Sequence, residues 1–131
     1  MNIAVCGGKD LKDAPFVQKS LDFWRLRLPI STLIVGGQVT LDPAEKSISW
    51  EQRAKWGADW LAKDWAERSG IPVIEVTTSD ADWKRLGARA EQARIERFLK
   101  QEPKRLIVLS AGAEELVGYA RAAGVKCIEV A

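Results

Sequence analysis

The sequence predicts an α/β domain: a five-stranded parallel sheet in the order 3-2-1-4-5, with helices on both faces. Three observations predict it. Five short runs rich in β-branched residues alternate with helical patterns over 131 residues. The links are short, so the strands must be joined by right-handed crossovers that cover both faces. Two strands also run straight into paired glycines, Gly7-Gly8 and Gly36-Gly37. Glycine at that point lets a strand turn sharply toward a helix and lets a ligand approach the backbone.

The expected strands are Asn2–Cys6, Thr32–Val35, Pro72–Val76, Arg105–Leu109 and Lys126–Val130. The first helix is expected from about Ala14 to Leu28. Asp13 can cap it, and Pro15 sits in its first turn, where a missing N–H does no harm. Val17, Leu21, Trp24 and Leu28 form its apolar stripe. A second helix, with the stripe Ala58, Leu61, Ala62 and Trp65, closes at Ser69-Gly70. A third is expected from about Asp82 to Gln101, stopped by Pro103, with Ser79 and Asp82 at capping-box spacing. The fourth, about Ala113 to Ala123, buries Leu116, Val117 and Ala120. Residues 38–56 exceed the usual ~2–6 residues of a βα link and read as an inserted loop or lid.

Composition narrows the chemistry. The chain is 47% hydrophobic and 29% charged, with a formal net charge of +2, as in a globular domain spanning 1–131. No apolar run approaches the ~20 residues that cross a bilayer. No basic segment precedes an apolar one at the N-terminus, so a cytoplasmic protein without a membrane partner is expected. Cys6 and Cys127 both fall in apolar strand patterns and read as buried thiols. Between Asp82 and Arg105, eight Lys/Arg oppose four Asp/Glu, which favours anions locally. The absence of histidine excludes Ser-His-Asp triads, Cys-His dyads and His-ligated zinc. No metal and no cofactor is expected.

If strand one is central, the winding reverses beside it, and a ligand crevice lies at the carboxyl ends of strands one and four. Gly7, Gly8, Lys9, Gly36, Gly37, Ser110 and Gly112 fall there. Lys9 can neutralise a phosphate as a point charge, and Arg94 can grip a phosphate or carboxylate with two parallel bonds. Asp59 can bind a ribose hydroxyl or tie down its helix. Ser110 can cap a helix or touch a ligand. A side chain at Gly8 is expected to block a ligand without unfolding the protein. Trp56 and Trp60, four apart, read as one face of the second helix; with Trp50 they suit base stacking, a lid seal or a homodimer contact.

The order of short motifs resembles a bacterial and phage family of unknown function within the SLOG superfamily. These motifs are Cys6-Gly7-Gly8-Lys9-Asp10, then Gly36-Gly37, and Gly57-Ala58-Asp59 leading into Leu61-Ala62-Lys63-Asp64-Trp65-Ala66. Gly70-Ile71-Pro72-Val73, Ala81-Asp82-Trp83 with Gly87, and Gly124-Val125 follow. The superfamily includes the Lonely Guy phosphoribohydrolases and the DNA-processing protein A family. The resemblance implies a Rossmann-like domain with a nucleotide-type ligand at the strand ends. Arg94 matches the family's helix-three arginine, Asp59 its Gly-Ala-Asp acid, and Glu115 the position of the glutamate that Lonely Guy enzymes use with an arginine for glycosidic cleavage. The chain departs from the pattern in three places. Gln38 to Trp56 intervenes before Gly57. Ser110-Ala111-Gly112-Ala113 stands where Pro-Gly-Gly-x-Gly-Thr is the rule, and Ile95 replaces an asparagine.

Three functions follow as expectations. The first is binding of a nucleotide or nucleotide-derived small molecule, as a sensor or degenerate enzyme. The second is a nucleoside-monophosphate phosphoribohydrolase or other N-glycosidase, with Arg94 and Glu115 as its catalytic pair. The third is a nucleic-acid-binding module of DNA-processing type, using the basic third helix and the tryptophans.

Overall fold

A computed structural model of the chain describes residues 1–38, 40–41, 49 and 54–130. Alternation in β1 (Asn2–Cys6) organises the molecule. Ile3 and Val5 point to one face; Ala4 and Cys6 point to the other, as the two-residue period of a strand demands. All four are buried, because β1 has helices on both sides. It pairs in parallel with β2 (Thr32–Val35) and with β6 (Arg105–Val108). The edges are β5 (Val73–Glu75) beside β2 and β7 (Lys126–Glu129) beside β6, both parallel. The sheet therefore reads β5-β2-β1-β6-β7.

Helices α1 (Ala14–Arg25) and α2 (Ala58–Arg68) cover the Ile3 and Val5 face, where Val17, Leu21, Leu61 and Trp65 join Leu33 and Val35. The Asp13 side chain accepts from the Phe16 amide at 3.0 Å and fixes the start of α1. The Trp65 indole donates to Asp22 at 2.9 Å and ties the two helices together. On the other face, Ile95 and Phe98 of α4 (Ala90–Leu99) and Leu116 and Val117 of α5 (Glu114–Ala122) pack on Ala4, Cys6, Ile34 and Leu106. Among the described residues, no helix is long and apolar enough to cross a membrane.

Three expectations need correction. The single third helix is broken into α3 (Asp80–Leu86), a 3-10 turn at Gly87–Arg89, and α4. Gly87 sits at φ 56°, which ends the first piece. The Ser79–Asp82 capping box is present and starts α3 at Asp80. The first helix stops at Arg25, so Leu28 packs on the core from outside it. Within the insertion, β3 (Thr40–Leu41) and β4 (Lys55–Trp56) pair antiparallel apart from the main sheet. Trp56 thus lies on a strand and shares no helix face with Trp60. The lid reading rests largely on residues outside those described, as does Trp50.

Candidate functional site

The sheet winds from β1 through β2 to β5, then resumes at β6 on the other side of β1. The loops after β1 and β6 meet above that reversal. The Gly8 carbonyl accepts from the Ala58 amide at 3.0 Å, and the Leu11 carbonyl accepts from Gly57 at 2.8 Å. The Gly57 and Ala58 amides at the start of α2 are thereby satisfied by backbone, and the Gly57 N-cap has no side-chain cap. From the opposite side, Ser110 Oγ accepts from the Gly8 amide at 2.8 Å. A Cβ on Gly8 would lie 2.4 Å from the Ala111 carbonyl oxygen, and one on Gly112 would lie 2.7 Å from Gly8 Cα. These glycines are therefore required by contact between two loops of the chain itself. Ser110 is no helix cap; Ala113 holds that position in α5.

The deepest part of the crevice is built from Asp59 and Arg94. Asp59 stands in the first turn of α2 and is only 7% exposed. Its Oδ2 accepts from the Gln38 amide at 3.1 Å, and the Gly36 amide also bonds the carboxylate. Arg94, from α4, is 9% exposed. Its Nε lies 3.1 Å from both carboxylate oxygens of Glu91, and its Nη1 donates to the Val76 carbonyl at 3.5 Å. Gly36 lies between acid and guanidinium: a Cβ there would sit 2.7 Å from Arg94 Nη1 and 2.8 Å from Asp59 Oδ2. Only a residue without a side chain lets both groups approach the end of β2.

Burial dominates the electrostatics. It pushes the Asp59 carboxyl up to about 6, against the opposing pull of the Gln38 and Gly36 amides and of Arg94. Burial alone would lower Arg94, but the Glu91 carboxylate, with Asp59 and Glu115, outweighs it and raises the guanidinium above its usual value. Burial, with Asp59 nearby, pushes the Cys6 thiol up to about 12. Cys6 stays protonated near neutrality and is a packing residue, not a nucleophile. Both cysteines are free thiols, with Cys127 half-buried.

A cleft of about 190 Å³ opens at this point. Gly7, Gly36, Asp59, Arg94, Gly112 and Glu115 all line it, so six residues singled out from the sequence converge. Glu91, Glu114 and Gln38 also line it, with Cys6, Ala113 and Leu116 as its apolar part. A neighbouring recess of about 480 Å³ is lined by Gly8, Lys9, Ser110 and Gly112, and shares Gln38 with the cleft. Gly37 faces elsewhere: its Cβ would meet the Thr77 methyl group after β5. Four carboxylates, from Asp59, Glu91, Glu114 and Glu115, thus surround one guanidinium. The amides of two glycines expected at the ligand crevice are also engaged. Gly8 donates to Ser110, and Gly112 donates to Glu114 Oε1 at 2.9 Å. The Glu114 carboxylate, held below its ordinary value first by the Gly112 amide, occupies the place an anion would take at the start of α5.

Glu91 escaped the sequence reading. Its signal was its place three residues before Arg94, where helix geometry brings the two side chains together. The roles of Gln38 and Gly36 as amide donors had no sequence signal. Arg97 is occupied too, donating to the Thr77 carbonyl at 2.8 Å and facing Asp82 at 3.8 Å. Trp56 and Trp60 are half-buried. Lys12 lies over Trp56 at 4.3 Å, and Lys55 and Lys63 approach Trp60 at 5.6 and 5.8 Å. Among the described residues, no group of three Cys, Asp or Glu side chains is placed to hold a metal ion.

The Asp59 environment has a consequence for stability. Its folded pKa, about 6, lies above the ordinary 3.8, so the native chain holds a proton that the unfolded chain releases. The associated stability is complete below about pH 4 and is lost as pH rises through about 6. Urea denaturation of the wild type and Asp59→Asn at pH 4 and pH 7.5 should show the wild type losing ground relative to the variant, by on the order of 3 kcal/mol. Parallel profiles would mean that Asp59 titrates alike in both states.

No family model, no curated protein and no solved structure matches this chain.

Proposed function

We propose that this domain binds a nucleotide-derived small molecule in the cleft between the ends of β1, β2 and β6. Its donor-rich nucleoside portion sits on Asp59, within a Rossmann-like arrangement. One observation carries this reading: a buried carboxylate and a buried guanidinium converge on Gly36 at the reversal point of a parallel sheet. Carboxylates accept and never donate when ionised, so the cleft suits hydroxyl and amino groups. It repels phosphate, because four carboxylates outnumber one guanidinium that Glu91 already engages. A phosphate on the same ligand would face the Lys9 recess. A thermal-shift screen over nucleosides, nucleoside monophosphates and nucleotide sugars tests the reading. A ligand at a hundredfold excess over its Kd stabilises by about 2.7 kcal/mol, a rise of several degrees for a domain of this size. No rise with any member of the panel would count against it.

A second reading, N-glycosidic cleavage, is favoured by one observation: Glu115 lines the same cleft as Arg94 and Asp59. Two carboxyl groups on one cleft divide acid and base roles when their environments differ, and Asp59 is the more deeply buried of the two. Release of free base from nucleoside monophosphates, lost in Glu115→Gln, would establish it.

A further inference from the structure

A further groove of about 330 Å³ adjoins the cleft across the β6–α5 loop, sharing Ala113 and Glu114 with it and Ser110 and Ala111 with the Lys9 recess, and extends to α5 and to Glu129 of β7. Val108, Ala113 and Val117 form an apolar floor; Glu114, Arg121 and Glu129 stand at its rim. Gly118 lines it from the middle of α5. A glycine there weakens the helix relative to alanine, and the structure offers no internal reason for it: a Cβ at Gly118 would meet nothing within 4 Å among the described residues. Unlike Gly8 and Gly36, Gly118 is not required by closely packed atoms.

The rim sets the chemistry of the occupant. Arg121 donates to Glu129 Oε1 at 2.9 Å, so its charge is matched, and Glu114 leaves the rim with an excess of negative charge. Such a rim accepts hydrogen bonds and favours neutral or cationic donors over phosphates. The volume is at the small end of ligand pockets and suits one ring system. We infer that this groove is a second binding site, for a flat heteroaromatic ring bearing an amino group, such as an aminopurine, seated against Gly118. The inference does not rest on the function proposed for the Asp59 cleft, with which the groove shares the wall of Ala113 and Glu114.

The test is a titration of the isotopically labelled full chain with adenine, followed by amide NMR. Shifts should centre on Val108, Val117 and Gly118. Purine without the amino group should bind at least tenfold more weakly. Gly118→Leu should fill the groove and reduce adenine affinity at least tenfold, while Gly118→Ala should raise Tm and show that the position tolerates a side chain. The adenine affinity, read at the Val108 and Gly118 amides alone and unchanged when a saturating nucleoside is present, separates this site from the cleft. Absence of shifts at Val108 and Val117, equal binding by purine and adenine, or undiminished binding in folded Gly118→Leu would overturn the inference.

Discussion

Gly8→Val should destabilise the fold by about 3 kcal/mol or more, where the sequence alone suggests only a blocked ligand. The Cβ would fall 2.4 Å from the Ala111 carbonyl oxygen, a backbone atom that no rotamer change can remove. Relief requires the loops after β1 and β6 to part. That strains the Gly8–Ser110 bond and the Gly8–Ala58 bond that seats α2. Overpacking alone costs about 1–3 kcal/mol, and a lost part-buried hydrogen bond adds about 1 kcal/mol. Differential scanning calorimetry should show Tm falling by roughly 10 °C. A wild-type Tm for Gly8→Val would mean that the two loops are not locked together.

Arg94→Ala should be nearly as damaging. The guanidinium is buried between Glu91, the Val76 carbonyl and the end of β2. Its removal leaves Asp59 without its neighbouring cation and takes a long stem out of a packed wall. Breaking a buried pair costs about 3–5 kcal/mol; Glu91 is partly solvated, so the lower end applies. Asp59 should also titrate higher than about 6 in the variant, because Arg94 is one of the groups holding it down. Urea denaturation with pH variation checks both effects. Arg94→Lys should recover little, since a point charge cannot reproduce the two-oxygen contact with Glu91.

Much of the fold was legible because alternation and helical spacing are local properties. The buried faces of β1, and the stripes of Val17 with Leu21 and of Leu61 with Trp65, follow from residues a few positions apart. The break at Gly87 was visible as a glycine inside a helical pattern, but its positive φ of 56°, which ends α3, was not. The β3–β4 pairing was hidden because two-residue strands carry no periodicity. At the site, Gly36 stood out by its place at the end of a strand, Arg94 by its chemistry and Asp59 by its match to the Gly-Ala-Asp of the resembled family. The sequence placed Gly8 and Gly112 beside a ligand because it contains no sign that Ser110, 102 positions away from Gly8, returns to take the Gly8 amide. The same limit hid the acidity of the cleft: Asp59 and Glu91 are brought near Glu114 and Glu115 only by the fold.

If Asp59 receives the hydroxyl donors of a nucleoside, removing those donors must cost affinity. Isothermal titration of a ribonucleoside and its 2′,3′-dideoxy counterpart, into wild type and Asp59→Asn, measures that cost. The wild type should prefer the ribonucleoside by at least about tenfold, the worth of a hydrogen bond to a charged acceptor, and the preference should collapse in Asp59→Asn. Equal affinity of the wild type for both, or a preference that survives in Asp59→Asn, would contradict that role of Asp59.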